Sequence, residues 1–286
     1  ALTDFAGAFR QRSFLIAQRE LTADGWRLDG GVFQRLLEKL RSASVPLRDF
    51  VGASVLRGIS TGLNDAFVID GNSKDRLISE HWSSAELIKP YLRGKDVGRW
   101  RVSSPDMWII FTRRGVDISR YPAILDHLRQ YKERLMPGVP GGRKPGNYQW
   151  YEIQDNIAYW QEFERKKIIS TKVSINPTFA IDDEGHYLGN TSYLVAAGPE
   201  PNYMLGLLNS KVARCYATSV FVEKQNGWYE VQPAGLEAFP IPTATNTLMI
   251  SDLVADILAT KAANPAADVR ALEAEIDQRV YALYGL

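Results

Sequence analysis

Amphipathic helical stripes mark both ends of this 286-residue chain, and the middle, from Leu47 to about Pro242, reads as short strands separated by turns with a few helices. Helices and strands segregated in this way point to an α+β architecture. Near the start, Phe33, Leu36, Leu37 and Leu40 fall at i, i+3, i+4 and i+7, the stripe of a helix that must end before Pro46. At the other end, Ile250, Leu253, Val254, Ile257 and Leu258 mark one helix, and Leu272, Ile276, Val280 and Leu283 mark another after Pro265. These helices are expected to pack on one another. The division that follows is a linker and helix over 1–45, a mixed or antiparallel-sheet domain over 46–243, and a helical support over 244–286. The opening has no initiator methionine and reads as part of a longer polypeptide, with Phe9, Trp26 and the Gly30-Gly31 pair as its conspicuous residues.

The middle is organised around Leu56 to Asp70. Arg57-Gly58-Ile59-Ser60-Thr61-Gly62-Leu63-Asn64-Asp65 is a polar turn segment that runs into the strand-like Ala66-Phe67-Val68-Ile69-Asp70. Its hydroxyl, amide and guanidinium groups suit recognition better than bond breaking. About twenty residues later, Leu87 to Val97 forms a basic turn carrying Lys89, Arg93 and Lys95. Trp108-Ile109-Ile110-Phe111 is a candidate buried strand, and Tyr121 to Leu135 carries a helical stripe. Pro137 to Gly146 holds three prolines and four glycines, so it is expected to be an exposed loop presenting Arg143 and Lys144. Asn147-Tyr148-Gln149-Trp150-Tyr151 follows directly, and Trp150 can be read either as core or as a stacking surface.

Ile168 to Phe179 starts as a strand and ends as a polar turn, because Pro177 cannot stay in a central ladder. Lys172, Ser174 and Asn176 share one face of it, which fits either a base reader or a solvent edge. Asp182-Asp183-Glu184-Gly185 reads as a hairpin turn without calcium-loop spacing. Asn226-Gly227 is the strongest hairpin signal and would project Lys224, Gln225 and Asn226 from a tip.

Gly58-Ile59-Ser60-Thr61-Gly62-Leu63-Asn64-Asp65-Ala66-Phe67, Leu87 to Val97, Trp150-Tyr151-Glu152-Ile153, Lys166-Lys167-Ile168-Ile169, Leu207-Leu208-Asn209-Ser210 and the closing Ile276 to Leu286 occur in an order spanning nearly the whole chain. Together they resemble the TaqI-like C-terminal specificity domain, the target-recognition domain of type II restriction-modification amino-methyltransferases. The resemblance implies sequence-specific reading of double-stranded DNA for an N6-adenine methyltransferase, which in many relatives is fused to a nuclease. It also implies a methyltransferase domain, in the same polypeptide or complex, that would hold S-adenosylmethionine. No cofactor is expected in this chain.

Composition narrows the options without choosing among them. A net charge of +1 carries no global sign of nucleic-acid binding. Locally, Lys89 to Arg114 holds seven Lys or Arg against two Asp, while Ser251 to Leu286 holds three basic residues against six acidic ones. The single Cys215 excludes an internal disulfide and a thiolate-rich zinc site, and His81, His127 and His186 lack metal-binding spacing. With no membrane-length apolar run and no signal-peptide pattern, a cytoplasmic protein is expected. The adenine methyltransferase loop, Asn/Asp-Pro-Pro-aromatic, is missing, and Asn176-Pro177-Thr178-Phe179 is its nearest approach.

The expected site is therefore a set of loops converging on the major groove: Arg57, Ser60, Thr61 and Asn64; Arg143, Lys144, Tyr148 and Trp150; Lys172 and Asn176; and Lys224, Gln225 and Asn226. Lys and Arg would fix register through phosphates while Asn64, Asn176, Gln225 or Asn226 read base edges. Two other readings stay open: a metal-dependent nuclease using Asp155, Glu164 and Lys166, and a protein-interaction module.

Overall fold

The computed structural model describes residues 32–103, 105–243 and 247–286, with isolated positions before residue 32. Trp26, Gly30 and Gly31 lie outside the described residues.

Two four-stranded sheets carry the middle of the chain. In the first, Phe179–Asp182, Lys167–Thr171, Ser192–Ala196 and Leu56–Arg57 run antiparallel in that spatial order. Lys167–Thr171 is buried along almost its whole length, which accounts for its unbroken Ile168-Ile169 pair. Ile168 enters one core with Phe179, Tyr193 and Val195, whereas Ile169 enters another with Ala180 and Leu194, so both faces of this sheet are covered.

The first core is closed by helices. Leu37 and Leu40 from Val32–Ser42, Leu205 and Leu208 from Pro201–Leu208, Val254 and Ile257 from Leu248–Ala263, and Ile276 and Val280 from Arg270–Tyr284 all join it. The expected meeting of the terminal helices is present, and Lys39 Nζ donates to the Gly285 carbonyl where they meet. A short ribbon, Ser44–Pro46 against Pro240–Pro242, joins the two ends of the middle region.

The second core lies under the other sheet, ordered Tyr187–Leu188, Ile88–Leu92, Met107–Ile110 and Val68–Asp70. Met107–Ile110 is the strand expected around Trp108. Within this sheet the Tyr187–Leu188 pairing is parallel, with Tyr187 opposite Tyr91 and Leu188 opposite Leu92, and the other two pairings are antiparallel. Helices Gly71–Glu80 and Pro122–Arg129 cover this core with Leu77, Ile124 and Leu128.

Two local expectations are corrected. The turn after Asp182 does not close a hairpin: it carries the chain from the first sheet into the parallel edge of the second. The stretch before Val68 is not extended, because Asn64–Phe67 forms a helical turn that buries Ala66 and Phe67. The Asn226-Gly227 hairpin is formed, with both residues at positive φ, 60° and 74°, between the paired strands Val222–Glu223 and Tyr229–Glu230. Val173–Ser174 adds a third strand to that small sheet.

Candidate nucleic-acid interface

The loop after Leu56 is fixed by backbone before any side chain acts. Gly58 N–H donates to the Ser192 carbonyl at 3.0 Å and Ile59 N–H to that of Leu188 at 2.7 Å, so the loop spans both sheets. A Cβ on Gly58 would lie 2.0 Å from the Gly189 carbonyl oxygen, so only glycine permits this approach. The Thr61 hydroxyl donates to Asn64 Oδ1 at 2.7 Å and accepts from Leu63 N–H, which orients the exposed Asn64 amide.

Three further segments face Asn64. The first is the basic turn at Arg93-Gly94-Lys95, held to its neighbour by Gly94 N–H donating to Thr191 Oγ1 at 3.0 Å. The second runs from Thr171 to Thr178, where the chain bends at Lys172 and leaves the first sheet for the small one. The third is the hairpin carrying Trp228. Between them lies a cleft of about 790 Å³ whose lining includes Asn64, Lys95, Lys172, Asn176, Asn190 and Trp228. Tyr91 forms part of its wall, and burial pushes its phenol up to about 12, so it is neutral.

The expected residues distribute unevenly. Asn64, Lys172 and Asn176 are brought together in this cleft. Lys224 is linked to it through Glu230, which pairs with Lys224 at 2.6 Å and Lys172 at 3.1 Å. Gln225 and Asn226 are exposed at the hairpin tip. Arg57 and Ser60 turn the other way, toward Asp155: the guanidinium pairs with its carboxylate at 3.1 Å and Ser60 N–H donates to it at 2.9 Å. Asp155 belongs to a second recess of about 640 Å³, shared with Arg114, Lys144 and Asn147. Lys144 is exposed there, and Trp150 is half-buried edge-on to Tyr151, with Lys132 over its ring.

Three expectations fail on burial. Arg143 is 4% exposed, and its guanidinium donates to the carbonyls of Leu135, Thr61, Glu152, Gln149 and Trp150, so it braces loops instead of reaching a phosphate. Burial lowers its pKa, yet every partner is an oxygen that favours the charged form, and it remains a cation. Tyr148 is packed between the guanidinium groups of Arg143 and Arg114, and its hydroxyl donates to the Lys144 carbonyl. Thr61 is 1% exposed and serves only to hold Asn64.

Ser174 lines the cleft with Lys172 and Asn176, the three that were expected to share one face, and Arg93, Lys95, Thr178, Asn190, Thr191 and Trp228 line it although they were not among the expected readers. The basic turn was visible in sequence. Asn190 and Thr191 carried no signal, because the parallel pairing of Leu188 with Leu92 is what brings them there.

The catalytic alternatives find little to build on. The Asp155 carboxylate takes Arg57 and Ser60, while Glu164 pairs with Lys89 at 3.4 Å and accepts from the Tyr187 hydroxyl at 2.9 Å. Among the described residues no group of three or more His, Cys, Asp or Glu is placed to share a metal. Phe179, at the aromatic position of the nearest approach to a methyltransferase loop, is buried in the first core and has no face free to stack on a base. Asn176-Pro177-Thr178-Phe179 therefore does not fit the base-holding loop of an adenine methyltransferase. No helix among the described residues is long and apolar enough to cross a membrane.

A glycine-shaped crossing of two sheets gathers amides, hydroxyls and lysines around an open cleft. Residues 89–241 match the TaqI-like C-terminal specificity domain, and the chain belongs to that family. Its fold is similar to that of the type IIL restriction-modification enzyme MmeI in complex with DNA, at a TM-score of 0.61 and 16% identity over 86% of this chain and 33% of that one. The type IIG restriction endonuclease BpuSI is also similar, at a TM-score of 0.48 and 14% identity over 91% of this chain and 34% of that one. The chain thus spans about a third of the length of these two enzymes. No curated protein matches it.

Proposed function

We propose that this chain reads a short sequence in double-stranded DNA for an N6-adenine methyltransferase of a restriction-modification, phage-defence system in the cytoplasm. Methyl transfer and S-adenosylmethionine would belong to a methyltransferase domain in the same polypeptide or complex, with the acidic helices after residue 247 as docking support. The observation that carries this reading is the cleft in which Asn64, Lys172 and Asn176 meet. Amides supply paired donors and acceptors for base edges, and the surrounding lysines supply charge for phosphate. Membership of the specificity-domain family supports the same reading.

The test is selection from a randomised duplex pool at two salt concentrations, with the retained DNA sequenced. A short motif whose binding weakens as salt rises is the expected result. Retention of no motif at either salt, with the chain folded, contradicts the proposal. The methyltransferase assignment is checked by incubating the complete enzyme with S-adenosylmethionine and the selected duplex. N6-methyladenine should form, and Asn176→Ala should slow its formation.

A further inference from the structure

The side chains around the cleft differ in how far they are already committed, and that difference bears on which bases they can take. Arg93 gives Nε and Nη2 to the two oxygens of Asp96 at 2.9 and 3.2 Å. Lys172 and Lys224 converge on Glu230. Arg93 and Asp96 balance, while the two lysines share one carboxylate and keep one positive charge between them. Asn176 and Asn190, by contrast, are exposed, and neither amide has a hydrogen-bond partner among the described residues. Beside them stand apolar surfaces turned to solvent, Ile175 at 47% and Trp228 at 42% exposure.

Each base pair asks for a different set of partners in the major groove. Guanine offers two acceptors, best met by a free guanidinium or ammonium, and cytosine offers a donor, best met by a free carboxylate. Adenine offers one acceptor and one donor to a single amide, and thymine offers a methyl group to an apolar side chain. The Arg93–Asp96 and Lys172–Glu230–Lys224 pairings occupy most of the first set and leave the second set open.

We propose, building on the reading of this cleft as a major-groove reader, that it is matched to A·T base pairs. Asn176 and Asn190 take adenine edges, and Ile175 with Trp228 takes thymine methyl groups. Lys95, exposed and without an ion partner among the described residues, contacts phosphate.

The experiment sequences the motif retained from a randomised duplex pool, then replaces thymine by uracil in the selected duplex, which removes only the methyl group. Fixed positions that are mostly A·T are expected. Uracil should weaken binding about fourfold per contacted methyl, the value of one buried methylene-sized group, and Ile175→Ala should abolish that sensitivity at one position. Asn176→Ala and Asn190→Ala should each lose roughly tenfold on the selected duplex and nothing on unrelated DNA, while Lys95→Ala should weaken both alike. All four side chains are exposed, and unchanged thermal unfolding of each variant confirms that the fold survives. A motif fixed mainly at G·C pairs overturns the A·T assignment and leaves the DNA-reading function standing. A motif indifferent to uracil in every variant overturns the methyl contact. Retention of no motif overturns both this inference and the function on which it rests.

Discussion

Arg143→Ala separates a structural arginine from a DNA-binding one. The wild-type guanidinium sends Nε to Leu135 at 2.9 Å, Nη1 to Thr61 at 3.0 Å and Glu152 at 2.8 Å, and Nη2 to Trp150 at 2.9 Å, with a longer contact to Gln149 at 3.5 Å. Alanine takes the donor from the Leu135, Glu152 and Trp150 carbonyls, while those of Thr61 and Gln149 keep the N–H groups of Gln154 and Glu152. A single hydrogen bond to a charged group contributes roughly 1.5–3 kcal/mol, but losses from one network do not add. Breaking a buried charged network as a unit costs about 4 kcal/mol, close to a thousandfold in the folding equilibrium. Arg143→Lys keeps the charge but cannot reach carbonyls spread around a planar fork, so it should recover less than half of the loss. Urea unfolding followed by circular dichroism measures this, with Lys144→Ala as the control. Lys144 is exposed, so its removal should change stability by under about 0.5 kcal/mol while weakening DNA of every sequence. An Arg143→Ala protein within about 1 kcal/mol of wild type, yet unable to bind DNA, would refute the bracing role.

Further outcomes follow from the same geometry. Lys167 and Asp182 form a fully buried pair at 2.5 Å, so Lys167→Met should destabilise by roughly 3–5 kcal/mol in urea unfolding, because the buried carboxylate loses its lysine cation and keeps only its hydrogen bonds with Glu184 and His186. Burial opposes ionisation of Asp182, but the hydrogen bond with His186 and the Lys167 charge together hold its pKa below the usual carboxylate value. With a depressed folded pKa, its stabilisation is full above the unfolded value near pH 4 and is lost as pH falls through the folded value. Urea midpoints taken across acid pH should fall in wild type and fall less steeply in Asp182→Asn, which should be less stable at neutral pH. Gly58→Ala drives a Cβ against the Gly189 carbonyl and should cost roughly 3 kcal/mol in thermal unfolding together with loss of DNA binding.

Legibility in the sequence followed the range of the interactions. The terminal helices were readable because Phe33, Leu36, Leu37 and Leu40, and their counterparts after Ile250, repeat at helical spacing that needs no distant partner. Asn226-Gly227 was readable because positive φ at two successive residues is a local demand. Arg143 misled, since a cation in a stretch rich in proline and glycine reads as solvent-exposed, and the carbonyls that draw it inward, from Leu135, Gln149, Trp150, Glu152 and the distant Thr61, converge only in the fold. The turn after Asp182 misled for a related reason: whether two strands pair or part is decided by Tyr91 and Leu92, nearly a hundred residues away. The same crossing places Asn190 and Thr191 beside Gly94, so that part of the cleft wall had no local signature.

Amide hydrogen exchange of the chain, with and without the duplex selected from the random pool, tests directly whether the cleft is where DNA binds. Protection is expected over residues 93–96, 172–178, 189–192 and 224–228, with helices Leu248–Ala263 and Arg270–Tyr284 unchanged. Protection confined to those two helices, with the four cleft segments exchanging as in the free chain, would contradict the assignment.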